Sequence, residues 1–485
     1  MTCPYGSLAT ARRVLLVAVL SAVGVAHAAQ AAPTPQPARQ PVSALGTLTQ
    51  VSGSGGCIVD RSTPHTNCAS VRALVGPAPF LGSRALTLSP DGRSVYAASS
   101  TSDAIAIFRR NARTGALTQG KGKTGCIAAK GASGCASARG LNGPNSVAVS
   151  PDGRFLYATS LDSDGVTVMQ RNRMTGALTQ LPGPSGCISG VAAIPGCASG
   201  RALEGPDVVT VSPDGKNVYV GSFIGNAVVV FARNAATGAL TQPTDTTGCL
   251  AAAVSGCATG IALGAPEGMA VSADGASVYI ATAASNAVLT LQRNASTGAL
   301  TQTTDGTGCL ANTPITGCGT GIQVGGANAL IVSPDNGDVY VTSLTSNSVT
   351  SFTRATSTGL LTQQAGTSAC AVPVLAIGCS LARSLISPEG VAISPDGASV
   401  YAAAYNSGTL DTFDRSSAGA LKQKPRQPGC ITGRTVADCT TGRALSGVSA
   451  LAVSPDGRYV YAAAFKSNAV TVFTRVTKNM TTGSD

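Results

Sequence analysis

Apolar and polar positions alternate along this chain in short blocks that recur seven times. In each copy an apolar run, such as residues 147–150, leads into the motif S-P-D-G, and a second run, such as residues 155–160, follows it. A third run, such as residues 166–171, precedes the turn N-x-x-T-G and the short run A-L-T-Q. Short apolar runs bounded by Gly, Pro, Asn and Asp predict β-strands separated by turns. Each copy therefore predicts four strands.

The turn motif sets the length of the repeat. Its serine recurs every 60 to 62 residues, and a tyrosine follows seven residues after each serine. Two copies depart from the motif, with Ala273 replacing the proline and Asn336 replacing the glycine, and a tight turn tolerates both changes. The serines are Ser89, Ser150, Ser212, Ser272, Ser333, Ser394 and Ser454, and the tyrosines are Tyr96, Tyr157, Tyr219, Tyr279, Tyr340, Tyr401 and Tyr461.

A four-stranded sheet repeated seven times buries its faces by radial packing around a channel. We therefore predict an all-β, seven-bladed β-propeller with four antiparallel strands per blade. The last copy stops at Arg475 without T-G-A-L-T-Q, whereas residues 45–50 read L-G-T-L-T-Q with no copy before them. We expect this N-terminal strand to complete the last blade and close the ring.

The two ends of the chain have a different composition. Residues 1–31 carry an arginine pair, an apolar run over residues 14–26 and two A-x-A sites, which predict a cleaved signal peptide. The run is shorter than the ~20 residues that span a bilayer. Residues 32–43 read as a Pro- and Ala-rich tether, residues 44–475 as the propeller and residues 476–485 as a flexible tail. The protein is thus predicted to be secreted or periplasmic, with no membrane span.

Composition narrows the classes of partner. The chain is 44% hydrophobic and 11% charged, so it folds rather than remaining disordered. Without the two arginines of the leader, 31 basic residues face 22 acidic ones, a net charge of about +9. The basic residues recur singly and without aromatic stripes, which predicts no nucleic-acid partner. Weak attraction to an anionic surface stays open. We expect a monomer.

The motifs S-P-D-G-R-x-V-Y-x-A, S-N-A-V-x-V-F and T-G-A-L-T-Q resemble those of the seven-bladed lactonase-type propellers and the related YVTN-repeat proteins. The resemblance covers about residues 44–475 and implies the propeller fold. It leaves the activity open, because the superfamily includes sugar lactonases, muconate-lactonizing enzymes and noncatalytic surface proteins. The lactonizing members imply histidine and arginine in the channel, yet the single histidine beyond the leader is His65, in a loop.

The cysteines pair within the repeat. Cys3 belongs to the leader, and the remaining fourteen form one pair per copy. An even count in an exported chain predicts local disulfides, whereas a zinc site calls for C-x-x-C spacing and histidines. These loops are expected on the same face as the S-N-A turns. The pairs are Cys57/Cys68, Cys126/Cys135, Cys187/Cys197, Cys249/Cys257, Cys309/Cys318, Cys370/Cys379 and Cys430/Cys439.

Two charged positions and the tyrosines repeat without variation. An arginine ends every third strand and an aspartate stands in every S-P-D-G turn, both on the opposite face. Their sevenfold repetition favours ion pairs between blades or turn capping over a charged binding ring. The tyrosines are expected to pack or hydrogen-bond between blades. The arginines are Arg110, Arg171, Arg233, Arg293, Arg354, Arg415 and Arg475, and the aspartates are Asp91, Asp152, Asp214, Asp274, Asp335, Asp396 and Asp456.

A site for one ligand must break the sevenfold pattern, and one position does so five residues before each turn serine. We expect it where the inner strands enter the channel. Its carboxylates and amides suit calcium, as in the calcium-dependent lactonases built on six-bladed propellers. Asp207, Glu267, Asn328 and Glu389 are candidate calcium ligands, Glu267 or Glu389 a candidate catalytic base, and Arg84 and Asn145 candidate ligand-binding residues. Alternatively, these groups solvate the channel mouth or cap strand ends. The position reads Arg84, Asn145, Asp207, Glu267, Asn328, Glu389 and Ser449.

Two further sets lie on the face with the cysteine loops. Phe223, Tyr405 and Phe465 occupy a varying position four residues after the tyrosine, and they either bind a partner or tuck under the loops. Five arginines after the second cysteine either attract an anionic partner or anchor the loops. These are Arg72, Arg139, Arg201, Arg383 and Arg443.

Two functions remain open. The first is an exported binding or interaction scaffold that presents this face to an extracellular protein, a polymer or a small lactone. It rests on the lack of a histidine pair, a Ser-His-Asp set or a phosphate-binding loop in the sequence. The alternative is a calcium-assisted lactonase that hydrolyses a lactone at the channel mouth.

Overall fold

The computed structural model describes residues 44–77, 84–190 and 193–477. In this part of the chain seven sheets follow one another, and the inner strand of each contacts the inner strand of the next. The inner strand of the last sheet contacts that of the first, so the ring is closed around a central channel. The predicted seven-bladed β-propeller is therefore confirmed. We number the blades 1 to 7 by the order of their inner strands.

Each blade has the four predicted strands, which we name inner, second, third and outer. The inner strands are Leu86–Leu88, Pro144–Val149, Pro206–Val211, Pro266–Val271, Ala327–Val332, Pro388–Ile393 and Val448–Val453. The second strands are Ser94–Ser99, Phe155–Ser160, Asn217–Ser222, Ser277–Thr282, Asp338–Ser343, Ser399–Ala404 and Tyr459–Ala464. The third strands are Ala104–Arg110, Gly165–Arg171, Ala227–Arg233, Ala287–Arg293, Ser348–Arg354, Thr409–Arg415 and Ala469–Arg475. The outer strands are Leu117–Gln119, Leu178–Gln180, Leu240–Thr241, Leu300–Gln302, Leu361–Gln363, Leu421–Gln423 and, in blade 7, Leu48–Gln50.

The four predicted antiparallel strands are present in each blade, and each sheet gains two further short strands at its outer edge, which make it mixed. The first begins near a cysteine and pairs antiparallel with the start of the third strand, and the second runs parallel to the first. From blade 1 to blade 7 they are Cys126–Ala129 and Ala136–Ala138, Cys187–Ser189 and Ala198–Ser199, Cys249–Ala251 and Ala258–Thr259, Gly306–Ala311 and Cys318–Thr320, Cys370–Val372 and Cys379–Leu381, Cys430–Thr432 and Thr440–Thr441, Cys57–Asp60 and Ala69–Val71. The second short strand runs parallel to the first because the loop between them crosses back over the blade before it pairs. The alternation of apolar and polar residues does not predict such a loop.

A disulfide closes each of these return loops. All seven predicted pairs are bonded, with sequence separations of 8 to 11 residues. The first cysteine of every pair is buried, whereas the second is half-buried in four of the loops and buried in the other three. The half-buried second cysteines are Cys68, Cys197, Cys257 and Cys318, and the buried ones are Cys135, Cys379 and Cys439. The bonds join Cys57 to Cys68, Cys126 to Cys135, Cys187 to Cys197, Cys249 to Cys257, Cys309 to Cys318, Cys370 to Cys379 and Cys430 to Cys439.

Helical structure in the described ranges consists of short 3-10 turns near these loops. Six of them occur there, at Gly53–Gly56, Gly122–Thr124, Ala132–Gly134, Gly183–Gly186, Thr246–Gly248 and Gln427–Gly429. Over these same ranges no helix has the length and apolar character needed to cross a bilayer.

The ends of the chain meet in blade 7. Leu48–Gln50 pairs antiparallel with the third strand of that blade, with Leu48 opposite Arg475 and Gln50 opposite Phe473. Tyr401 in blade 6 donates to the carbonyl of Gly46 at 2.8 Å. The predicted closure by the N-terminal strand is confirmed. The predicted signal peptide, the whole of the predicted tether and residues 478–485 of the predicted tail lie outside the described residues.

The S-P-D-G turns define one face of the ring, which we call the lower face, and the disulfide loops lie at the opposite, upper face. The arginine that ends a third strand crosses to the preceding blade on the lower face. Arg171 donates to both carboxylate oxygens of Asp91 at 3.0 Å, to Tyr96 Oη at 2.7 Å and to the Gly153 carbonyl. Tyr96 then donates to the carbonyl of Gly176 at 2.8 Å.

All seven arginines pair in this way with the turn aspartate of the neighbouring blade. Burial alone would raise the pKa of Asp91, but hydrogen bonds from Ser89, Arg93 and Arg171 lower it below its usual value. Burial raises the pKa of the Tyr96 phenol. The arginine, aspartate and tyrosine sets are thus inter-blade connections, as their repetition predicts.

The two departures from S-P-D-G lie in adjacent blades and contact one another. The backbone N–H of Ala273, which a proline would lack, donates to Asn336 Oδ1 at 3.1 Å. Asn336 Nδ2 donates to Asp274 Oδ2 at 2.6 Å, and Asn336 holds the left-handed conformation (φ +63°) of the glycine that it replaces. The two changes therefore compensate each other.

Candidate functional site

The varying position of the sequence lies at the upper end of the inner strands. In blades 2 to 7 the pairing of the inner and second strands shifts register at this residue, as between Pro144 and Ser146 or between Pro206 and Val208. The residue is therefore the extra residue of a β-bulge. Bulges redirect a side chain away from the regular pleat and are frequent near functional sites. We call the seven residues at this position the upper ring. They are Arg84, Asn145, Asp207, Glu267, Asn328, Glu389 and Ser449.

The upper ring is more deeply buried than the sequence suggests. Asn145, Asp207, Glu267, Asn328, Glu389 and Ser449 are each at most 6% exposed. Such burial argues against the alternative that these groups merely solvate the channel mouth, whereas the capping of strand ends stays open. Buried polar groups need partners, so the contacts of the ring indicate its chemistry.

Blades 2 and 3 are joined through two ring residues. Asn145 Nδ2 donates to Asp207 Oδ1 at 2.5 Å, and Thr159 Oγ1 donates to the backbone carbonyl of Asp207 at 3.1 Å. Asp207 Oδ2 is buried and has no hydrogen-bond partner among the described residues. Burial raises the pKa of Asp207 to about 8, against the lowering effect of the Asn145 hydrogen bond. Near neutral pH this carboxyl group is therefore mostly protonated.

The remaining ring residues lie in blades 4 to 7. Asn328 accepts from Thr342 Oγ1 at 2.9 Å, and its buried amide nitrogen has no partner in the described ranges. Glu267 and Glu389 are 2% and 0% exposed in the inner strands of blades 4 and 6. Among the described residues, no three His, Cys, Asp or Glu side chains are grouped closely enough to share a metal ion. Calcium binding by Asp207, Glu267, Asn328 and Glu389 stays a prediction.

A cavity occupies the channel between the upper ring and the lower face. It has a volume of about 320 Å³, at the lower end of the range for small-molecule sites. Mostly aliphatic residues from the inner strands of blades 1, 2, 5, 6 and 7 line it, together with prolines of the S-P-D-G turns, so it extends to the lower face. A large part of its surface is polar, because the free backbone edges of the inner strands also face it. The aliphatic members are Leu86, Leu88, Val147, Ala329, Leu330, Ile331, Val391, Ala392, Ile393, Leu451, Ala452 and Val453, and the prolines are Pro90, Pro395 and Pro455.

Arg84 is the charged residue of this cavity. Its guanidinium reaches across the channel from blade 1 and donates to the Leu330 carbonyl of blade 5 at 3.4 Å. Its side chain lies inside the ring but keeps some accessible surface, because that surface faces the cavity. Burial lowers the pKa of Arg84 to about 10, so the group is cationic at neutral pH. Within the described ranges Arg84 forms no ion pair.

The three candidate aromatic residues occupy turns of the upper face. Phe223 and Phe465 are half-buried, and Phe465 packs beside Gly76. Tyr405 is 8% exposed, and the ammonium of Lys466 lies 4.5 Å from the centre of its ring. Burial and the charge of Glu389 raise the pKa of Tyr405, so this phenol lies near the upper ring. Partner binding by the three aromatics stays a prediction.

The five upper-face arginines anchor loops. Arg201 donates to the carbonyls of Pro243, Thr244 and Asp245 in the next loop, at 2.7 to 2.9 Å. Arg72, Arg139, Arg383 and Arg443 make the same type of contact. A glutamine of the neighbouring outer strand, such as Gln242, also pairs with the arginine backbone. The regular spacing of the five arginines favours loop anchoring, and these contacts agree with it. His65 contacts the carbonyl of Thr66 in its loop, outside the channel.

One buried acid was missed by the sequence reasoning. Asp411, in the third strand of blade 6, is fully buried and accepts from Thr409 at 3.0 Å and from Gln423 at 2.8 Å. Burial raises its pKa to about 8. The signal was present in the sequence, because the same position holds an apolar residue or threonine in the other six third strands.

The fold defines the class: the described residues form a seven-bladed β-propeller whose ring is closed around a central channel. Residues 186–313 match the family model described as "Lactonase, 7-bladed beta-propeller". The predicted resemblance to lactonase-type propellers is thus confirmed over that segment. The sequence matches no curated protein.

Two solved structures share the fold. A candidate 6-phosphogluconolactonase from Bacteroides uniformis aligns with a TM-score of 0.51 and 19% identity, covering 77% of this chain and 88% of that one. The periplasmic gluconolactonase of Pseudomonas aeruginosa aligns with a TM-score of 0.50 and 18% identity, covering 82% and 96%. At such identity the alignments establish a common architecture only, and the site has to be interpreted from its own residues.

Proposed function

We propose that this protein is an extracytoplasmic binding protein that holds a small organic anion in its central channel. The observation that carries the proposal is Arg84. A guanidinium has five N–H donors, and the described residues offer this one a single carbonyl at 3.4 Å. A cation that is removed from water and lacks a counter-ion costs free energy, and an anionic ligand in the adjoining cavity relieves that cost.

The disulfides support the proposed location. Seven bonds between neighbouring cysteines form and persist in oxidising compartments, outside the cytoplasm. Thiol titration of the denatured, unreduced protein tests two predictions: that the seven disulfides form and that the leader with Cys3 is cleaved off. We expect no free thiol in the mature chain, and one free thiol in a chain that keeps Cys3. Additional free thiols would contradict the proposed compartment.

The binding proposal is tested by equilibrium dialysis of the purified mature protein against organic anions and their neutral amides. Wild-type protein is expected to bind at least one anion saturably, and Arg84→Gln to bind it about 10- to 100-fold more weakly. Arg113→Gln is the matched control, because Arg113 lies exposed in a lower-face turn. Equal binding of an anion and its amide would overturn the proposal.

Lactone hydrolysis is the second candidate, and Asp207 favours it. A carboxyl group with a pKa near 8 loses its proton as the pH rises through 8, and its Oδ2, which has no described partner, can then accept a proton from water. The water oxygen would add to the lactone carbonyl, the ring C–O bond would break, and the proton would pass to the departing alkoxide. The product is a hydroxy acid, whose carboxylate Arg84 would bind.

The two candidates separate in a pH-stat assay on a panel of lactones. If Asp207 is the base, turnover rises with pH through about 8 and Asp207→Asn abolishes it. Parallel runs with calcium and with EDTA test the predicted metal, and Glu267→Gln and Glu389→Gln test the predicted catalytic pair. No turnover across the panel would leave binding as the function. Turnover that survives Asp207→Asn would reject this mechanism.

A further inference from the structure

The cavity below Arg84 also indicates which anion it takes. We infer that the ligand is an aliphatic monocarboxylate, with its carboxylate on Arg84 and its alkyl chain along the channel toward the lower face. This inference rests on the proposed anion binding at Arg84 and adds the chemical class of the ligand. It draws on the number of charges in the cavity, the nature of its walls and its direction.

The first argument is the charge. Arg84 is the only charged side chain that lines the described cavity. One guanidinium neutralises one carboxylate and binds it through two parallel N–H donors. A phosphate monoester brings nearly two negative charges at neutral pH and would leave one of them without a counter-ion among aliphatic side chains. The cavity therefore favours a monoanion over a sugar phosphate.

The second argument is the wall. Most residues that line the cavity between Arg84 and the turn prolines are Leu, Ile, Val and Ala, with Thr87 and Ser89 as the polar side chains. The inner strands are the last strands of their sheets, so their free backbone N–H and C=O groups add polar surface to the same wall. Ser89 Oγ is engaged with Asp91 at 2.5 Å. A polyhydroxylated acid such as gluconate has a hydroxyl on almost every carbon, and each lost hydrogen bond to water needs a replacement. An alkyl chain needs none and gains from leaving water.

The third argument is the direction. Arg84 stands at the upper end of the cavity, whereas Pro90, Pro395 and Pro455 belong to turns of the lower face. The arginines that end the third strands are already paired with aspartates on that face, so they do not compete for the carboxylate. A ligand entering from below meets one cation without an ion pair in the described ranges, at the far end of an aliphatic passage.

Isothermal titration calorimetry at pH 7.5 on the mature protein tests the inference with four probes: hexanoate, hexanamide, gluconate and hexyl phosphate. We expect saturable one-to-one binding of hexanoate, and binding at least 10-fold weaker for each of the other three. Across butyrate, pentanoate and hexanoate, affinity is expected to rise about fourfold per methylene group. Arg84→Gln should lower hexanoate affinity about 10- to 100-fold, with partial recovery in Arg84→Lys.

The outcomes are distinguishable. If gluconate or hexyl phosphate binds more tightly than hexanoate, and Arg84→Gln weakens that binding, the ligand class is wrong while anion binding at Arg84 stands. If none of the anions binds saturably at millimolar concentration, both the inference and the proposed function fail. The chain-length series uses wild-type protein, so the inference can be rejected even if the Arg84 variants do not fold. Leu88→Asn, which makes the wall polar, should weaken hexanoate more than acetate.

Discussion

The lower face and the upper ring use the same residue types with opposite results. On the lower face, seven arginines each meet an aspartate, a tyrosine and a backbone carbonyl of neighbouring turns. In the upper ring, Arg84 has one carbonyl at 3.4 Å, and Asp207 has a carboxylate oxygen without a described partner. A position that repeats in every blade can be satisfied in the same way by every next blade, whereas a position that varies needs a different partner in each blade, as Asn145 has in Asp207. Arg84 and Asp207 are therefore the ring residues on which the proposed ligand site rests.

The largest expected effect is the loss of a lower-face arginine. Arg171→Ala removes a fully buried guanidinium and leaves Asp91 and Tyr96 without their partner. Because the Asp91 side chain keeps 25% of its surface exposed to water, the cost is below that of opening a fully buried ion pair. We expect the free energy of unfolding, measured by denaturant titration, to fall by about 3 kcal/mol through the lost hydrogen bonds of the guanidinium. Arg233→Ala should cost a similar amount, because its contacts are the same. Arg154→Ala, on an exposed side chain of the same face, is the control. Unequal losses at Arg171 and Arg233 would break the sevenfold equivalence.

Next in size is a single disulfide. Replacing Cys126 and Cys135 by serine opens a loop with a sequence separation of 9 residues. Chain-entropy arguments give a loss of about 2–3 kcal/mol for such a loop. Denaturation monitored by tyrosine fluorescence measures it, and hydrogen exchange should increase mainly in Cys126–Ala129 and Ala136–Ala138. Exchange that increases throughout the ring would show that the loop supports the whole fold rather than its own blade.

A third prediction concerns pH. Burial raises the pKa values of Asp207 and Asp411 to about 8, far above an unfolded value near 3.8. Between these values the folded state binds more protons than the unfolded state, so this contribution to stability is complete below about pH 4 and is lost as pH rises to about 8. The turn aspartates, whose pKa values are lowered, act in the opposite direction and only under more acidic conditions. We expect the midpoint of unfolding to fall from pH 5 to pH 8.

Asp411→Thr is the matched variant for this pH dependence. Threonine stands at the same position in blades 2, 5 and 7, where it donates to a loop carbonyl, as Thr167 does to Gly140 at 2.8 Å. The variant should keep the fold and flatten the decline of stability between pH 5 and pH 8. An unchanged decline would contradict the assignment to Asp411 and shift it to Asp207, for which Asp207→Asn is the corresponding variant.

The smallest expected effect on stability is that of Arg84→Gln. Because Arg84 is a half-buried cation without an ion pair in the described ranges, its removal should leave the free energy of unfolding within about 1 kcal/mol of wild type, or raise it. Removal of the Arg171 guanidinium is expected to lower the free energy of unfolding severalfold more. The difference would separate the structural arginines of the lower face from the arginine of the upper ring. A large loss at Arg84 would mean that the residue is structural, and it would weaken the binding proposal.

Much of the fold could be predicted because its signals are local. The S-P-D-G turn, the tyrosine seven residues later and the A-L-T-Q run specify strand order without knowledge of neighbours. The disulfides follow from their spacing, and the closure follows from a motif missing at Arg475 and present before Val51. The parallel strand at Ala198–Ser199 could not be predicted, because it depends on where a stapled loop returns.

The candidate site was predicted in position but not in environment. The varying residues could be identified from the repeat. The burial of Asp207 depends on a β-bulge, and the contact of Arg84 with the Leu330 carbonyl joins residues that are 246 positions apart in the chain. The aliphatic cavity is likewise assembled from five blades. No local pattern specifies which side chains meet across a channel.

The sequence by itself determined the blade count, the turn chemistry, the disulfide pairs and the inter-blade ion pairs, because each is written in every repeat and needs only a neighbour of the same kind. Only the tertiary structure decided which charges stay unmatched. That property depends on seven different residues converging at one level of a closed ring, and it sets the pKa values of Asp207 and Arg84 through burial.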